Sequence, residues 1–187
     1  MTLEAILKLT LFLGISTWLA YITRSSLRIP PSHGFYRYFA WVSILALFLL
    51  NVGEWFRNPF SPLQLISWLL LIISGFLILN AVYLLHRLGR QDKDRQDEPL
   101  IGIEKTTTLV TTGAYRYIRH PMYSSLLFLG WGIFFKRPSW ETGIIAIVAT
   151  CFLVATAKAD EAESIRFFGA PYEEYMKQTK MFIPFLF

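Results

Sequence analysis

The residues best suited to chemistry in this sequence gather around a proline. Residues 106–132 read TTTLVTTGAYRYIRHPMYSSLLFLGWG, and Pro121 stands where an apolar helical run begins. Proline fits the first turn of a helix, so Arg119, His120 and the free amides of that turn collect at a helix N-terminus, a place that attracts an anionic group such as a carboxylate. Gly113 allows the backbone to turn just before it, and Tyr115, Tyr117 and Tyr123 supply aromatic faces able to hold a cationic centre.

About forty residues later the sequence places Asp160, Glu161 and Glu163 at the end of another apolar run. Asp160 and Glu163 are three apart and share a helix face, whereas Glu161 points about 100° away. An ammonium group or a ribose hydroxyl would pair with such carboxylates. A cationic, amide-rich pocket and an acidic patch at one depth suit a zwitterionic ligand. Each feature also has a plainer reading: Arg and His before an apolar run as interfacial anchors, tyrosines as an aromatic belt, and the acids as a solvated face balanced by Lys158 and Arg166. His33, His86 and His120 show no ligand spacing, so no metal site is expected.

The elements that must position these groups are helices in lipid. Of 187 residues 54% are hydrophobic and 17% charged, and mean hydropathy is +0.43, outside the range of soluble domains. Runs at 3–22, 36–52 and 63–85 are each close to the roughly 20 residues that cross a bilayer. Proline pairs at 30–31, 59 and 62 separate them. Residues 86–119 form a charged, aqueous segment. Two apolar runs follow, 122–135 and 142–157, split by a polar turn at Lys136, Arg137, Pro138 and Ser139. The first of these is short for a full span, and the pair is expected to form a helical hairpin that tilts or sits partly within the bundle. A polar helix continues over 158–168, Gly169 and Pro171 stop and restart it, and Phe182, Pro184, Phe185 and Phe187 form an apolar tail.

Five spans place 14 of the 18 Lys and Arg residues on one side, which puts the N-terminus outside and the long loop and C-terminus in the cytoplasm. The basic residues are spread through short loops, which argues for orientation in a membrane and against nucleic-acid binding. The lone cysteine, Cys151, excludes an internal disulfide. The opening residues lack the basic region of a cleaved signal peptide, so the first segment is expected in the mature protein.

The ordered set RHPMY at 119–123, DE at 160–161, FFGAPYEEY at 167–175 and IP at 183–184, approached by LVTTGAY, resembles the isoprenylcysteine carboxyl methyltransferase family and its phospholipid methyltransferase relatives. The similarity runs from about residue 84 to 184. It implies an all-α polytopic membrane bundle of about five transmembrane helices with a C-terminal cytoplasmic helical segment. Residues 1–85 would be three N-terminal transmembrane helices and 86–187 the catalytic module, in one compact unit.

Carried over by position, Thr107, Thr108, Leu109 and Val110 would line S-adenosylmethionine, with Tyr115 beside it. Arg119, His120, Pro121, Met122 and Tyr123 would form the cradle at the helix start, and Asp160 and Glu161 would contact the cofactor. His120 and Glu161 are the catalytic candidates, as proton acceptors. Asp160 replaces the first of two glutamates, and Thr156 stands where enzymes acting on prenylated cysteine have an arginine. The acceptor is therefore open among a prenylcysteine-like carboxylate, a thiol and a lipid headgroup, reached from the lipid bilayer. Two other readings are an NADPH-dependent sterol-type reductase, for which no further basic pocket suits a 2′-phosphate, and a non-catalytic membrane scaffold.

Overall fold

The computed structural model describes residues 2–89 and 107–186. Half of the charged segment expected at 86–119 thus lies outside the described residues. Seven α-helices form among those described: α1 Leu3–Ile22, α2 Arg24–Leu27, α3 His33–Asn51, α4 Pro62–Leu88, α5 Pro121–Phe134, α6 Trp140–Phe168 and α7 Ala170–Gln178. Four of them, α1, α3, α4 and α6, are long and apolar enough to cross a membrane. The chain is a polytopic helical bundle, and the described residues contain no strand beyond one isolated bridge between Ile118 and Lys180.

Local sequence sets the helix ends. Ser32, Ser61 and Ser139 each cap the following helix by accepting an amide from its first turn, and Ser139 and Thr142 complete a reciprocal capping box. Gly169 ends α6 with φ of 63°, a conformation that favours glycine, and α7 restarts at once.

Apolar burial gives helices little reason to associate in lipid, so close packing and interhelical hydrogen bonds must hold them. The α4–α5 pair shows both. Ser67 Oγ donates to the Gly132 carbonyl at 2.6 Å and Ser74 Oγ to that of Ser125 at 2.7 Å. A Cβ at Gly132 would lie 3.0 Å from the Leu71 side chain, so glycine permits the approach. On α3 the buried positions His33, Arg37, Ala40, Ile44, Leu47 and Asn51 recur at helical spacing and make one stripe. Ala40 packs with Leu153 and Ala157, and Ile44 and Leu47 with Ala146 and Ala149, which sets α3 antiparallel to α6.

The expected hairpin of the last two apolar runs is therefore loosely paired. Helix α5 packs most extensively on α4 and α6 on α3, with a lesser contact between α5 and α6. Helix α1 has no buried residue and touches α3 through the Tyr38 hydroxyl, 3.4 Å from the Ser16 carbonyl.

At 14 residues, or about 21 Å, α5 is shorter than its neighbours α4 and α6. Its last turn is closed by the amides of Phe135, Lys136 and Arg137, which donate to the carbonyls of Trp131, Ile133 and Phe134, and side chains from α3 and α4 add to these bonds. Besides Ser67, Asn51 Nδ2 donates to the Ile133 carbonyl at 2.9 Å, and Gln64 Nε2 to that of Lys136 at 3.2 Å. Lys136, read from sequence as part of a polar turn, is 5% exposed. Its ammonium donates to Gln64 Oε1 at 3.0 Å and sits 3.4 Å from the centroid of the Trp68 ring. Gln64 thus satisfies both the helix end and the buried cation. Gln64→Ala is expected to lower unfolding free energy in mild detergent by about 2 kcal/mol. A loss below about 0.5 kcal/mol would show that other contacts hold this end.

Candidate active site at one end of the bundle

At the opposite end, α5 begins and α6 carries its acids. His120 precedes Pro121, the first residue of α5, and the strap at 180–181 fixes its backbone: the Arg119 and His120 amides donate to the Lys180 and Met181 carbonyls at 2.7 and 3.2 Å. The His120 ring lies between two carboxylates. Nδ1 is 3.4 Å from Asp160 Oδ2, and Nε2 is 3.4 Å from Glu161 Oε1. Tyr123, one turn into α5, stacks on the imidazole with centroids 5.4 Å apart. Arg119 Nε donates to Glu161 Oε1 at 2.6 Å, and its Nη1 donates to the carbonyls of Met176, at 3.2 Å, and Thr179.

The two clusters picked out in the sequence thus face one another. Burial opposes charge on His120, but hydrogen bonding and attraction from Asp160 and Glu161 outweigh it, and its pKa is raised above the ordinary 6.5. Nε2 is buried and makes no aligned hydrogen bond among the described residues, although Glu161 is near. Burial first, and then the charges of Asp160 and Glu161, push the Tyr172 phenol far up.

The third acid takes a separate role. Glu163 accepts the His33 amide at 3.1 Å and pairs with His33 Nδ1, joining α6 to the start of α3. His33 is fully buried. The sequence places Glu163 on one helix face with Asp160 and gives His33 no partner. The available signal was the stripe on α3, where polar residues within a lipid-phase helix face the bundle interior.

The remaining expected residues form a wall beside the cluster. Thr107 and Thr108 are exposed, and their amides donate to the Gly89 carbonyl at 3.1 and 3.2 Å. Leu109 is half-buried. Val110 and Tyr115 are buried against Ala81 and Leu85 of α4, where Met122 also packs. A cavity of about 650 Å³ opens between Thr111, Thr112, Gly113 and Arg116 on one side and Pro171, Glu174, Tyr175, Gln178 and Thr179 of the cap on the other. It is of ligand size, but His120, Asp160 and Glu161 do not line it. Two buried residues escaped the sequence reading. Ser124 Oγ lies 2.9 Å from the carbonyls of both His120 and Phe182, and Tyr175 donates its hydroxyl to the Tyr115 carbonyl at 2.6 Å.

A polytopic helical bundle with a buried charged corner at one end is a class of membrane protein able to hold a polar ligand beside lipid. Residues 63–170 match the family model described as phospholipid methyltransferase, and the chain belongs to this family. Its curated relatives include a methanethiol S-methyltransferase of Crocosphaera subtropica, 27% identical over 135 residues, covering 68% of this chain and 47% of that protein. The human protein-S-isoprenylcysteine O-methyltransferase is 28% identical over 135 residues, covering 70% and 46%. That of Schizosaccharomyces pombe is 31% identical over 83 residues, covering 44% and 35%. The chain spans about half the length of the first two. No solved structure matches it with statistical significance.

The raised His120 pKa carries a stability consequence. Stabilisation from the charged ring is fully present below the unfolded-state pKa of about 6.5 and is lost as pH rises through the higher folded value. Thermal unfolding of the wild type in detergent should therefore fall across that window relative to His120→Asn. Parallel pH profiles for the two proteins would contradict the pairing.

Proposed function

We propose that this protein transfers a methyl group from S-adenosylmethionine to a lipophilic acceptor at the inner end of the bundle. The observation that carries this reading is the buried His120 ring at a helix N-terminus, with Asp160 3.4 Å from one of its nitrogens and Glu161 3.4 Å from the other. That arrangement fits a ligand with an acid end and an amine end. When bound, the cofactor supplies an electrophilic methyl group on sulfur.

The chain's own groups bind and orient. His120, held toward its protonated form, and the first amides of α5 take the carboxylate. Asp160 and Glu161 take the ammonium. Thr107, Thr108, Leu109, Val110, Tyr115, Pro121, Met122 and Tyr123 line the remainder. Arg119 lies at the same corner with its guanidinium engaged by Glu161 and the cap. Positioning in a site shielded from water then lowers the barrier, and no side chain need act as a covalent nucleophile. An amine acceptor would release a proton. His120 and Glu161 are the groups placed to take it.

The acceptor reaches the site from the bilayer, and the relatives' names point to sulfur and isoprenylcysteine groups as well as phospholipid. Residues 1–85 serve as a membrane scaffold and 86–187 as the catalytic module, working as one unit because α3 and α4 pack against α6 and α5. The basic-residue bias supports an outside N-terminus and a cytoplasmic site.

Purified protein incubated with methyl-labelled S-adenosylmethionine, total lipid and a hydrophobic-thiol extract should yield labelled product in the organic phase. His120→Ala and Asp160→Asn should each weaken S-adenosylhomocysteine binding roughly 10- to 100-fold, the loss of one charged hydrogen bond. Absence of cofactor binding by the wild type, or wild-type affinity in both variants, would overturn the assignment.

A further inference from the structure

Helix α7 is a bridge between two fixed points. Its first is Gly169, whose φ of 63° and open surroundings suit a pivot. Its second is the strap after Thr179, stitched by backbone bonds from Lys180 to the Tyr117 carbonyl at 3.1 Å and from Arg119 and His120 to the carbonyls of Lys180 and Met181. Between these points α7 forms one wall of the 650 Å³ cavity, and its last carbonyls accept from Arg119, which also reaches Glu161.

Arg119 joins the two sides. The carbonyls of Met176 and Thr179 lie at the C-terminal end of α7, where last-turn oxygens lack helical partners and the helix dipole favours a cation. The Arg119 guanidinium supplies that cation and hydrogen-bonds to both carbonyls. The same guanidinium pairs with Glu161 at 2.6 Å, and both side chains are 11% exposed. One planar group therefore ties the end of α7 to the acid of α6, with directional donors that a lysine would lack.

We propose that Arg119 is a positioning residue that couples Glu161 to α7. Its guanidinium holds the C-terminal helix against Glu161, and its release lets α7 shift between Gly169 and the strap and widen the adjoining cavity as the cofactor's route in and out. The route rests on the cofactor assignment above, while the latch does not.

Amide hydrogen exchange of the empty, detergent-solubilised protein separates the two. In Arg119→Met, exchange across α7 should quicken about tenfold or more while α3, α5 and α6 keep wild-type rates, and Arg119→Lys should restore part of the protection. Labelled S-adenosylhomocysteine should dissociate faster from Arg119→Met by a similar factor. Unchanged exchange in α7, or acceleration shared equally by α3, α5 and α6, would overturn the latch. Faster α7 exchange in a protein whose wild type holds no S-adenosylhomocysteine would leave the latch standing and remove the cofactor route.

Discussion

Four ionisable groups packed together at the end of a lipid-embedded bundle impose the main constraint on this fold. Arg119, His120, Asp160 and Glu161 are each costly to bring out of water, and each becomes tolerable because an opposite charge is already there. The arrangement requires the start of α5 and the lower part of α6 to meet at one depth, with the C-terminal segment laid across them. Removing one member would strand another in a medium that cannot solvate it. The site is consequently also a structural joint.

The rest of the bundle can be understood as what keeps that joint in register. Helix α5 is too short to be located by lipid alone, so polar side chains from α3 and α4 capture its far end, and Lys136 closes that end beneath Trp55 and Trp68. Serine and glycine along α4 and α5 let the two backbones approach, which fixes α5 lengthwise as well as laterally. Helix α6 is located by α3, through alanine packing in the middle and the His33–Glu163 pair near the acidic corner. The family match begins at residue 63, whereas His33 comes from before it, so the N-terminal helices help hold the helix that carries the acids.

Much of this was legible in the sequence because it depends on local chemistry. Hydropathy marked the spans, Pro121 marked the start of α5, and Gly169 with Pro171 marked the break between α6 and α7. The acids at 160–161 and the Arg–His pair at 119–120 were recognisable because such groups at the edge of an apolar run need partners. Features set by distant partners were not legible. Nothing near Lys136 announces Trp68, nothing near His33 announces Glu163, and the preference of α5 for α4 over α6 depends on small residues facing each other across two helices. The 107–110 wall was named through resemblance alone, and its packing through Val110 and Tyr115 onto α4 has no local signature.

The central claim is that the inner corner grips both ends of a zwitterion, and ligand analogues lacking one charge at a time test it most directly. Affinities of S-adenosylhomocysteine and of its deaminated and decarboxylated forms would be measured on the wild type, Asp160→Asn and His120→Ala. The account predicts that deamination weakens binding to the wild type but matters little once Asp160 is neutral, and that decarboxylation shows the same dependence on His120. Equal penalties for each analogue in all three proteins would mean that neither cluster holds the charge assigned to it, and the account would be wrong.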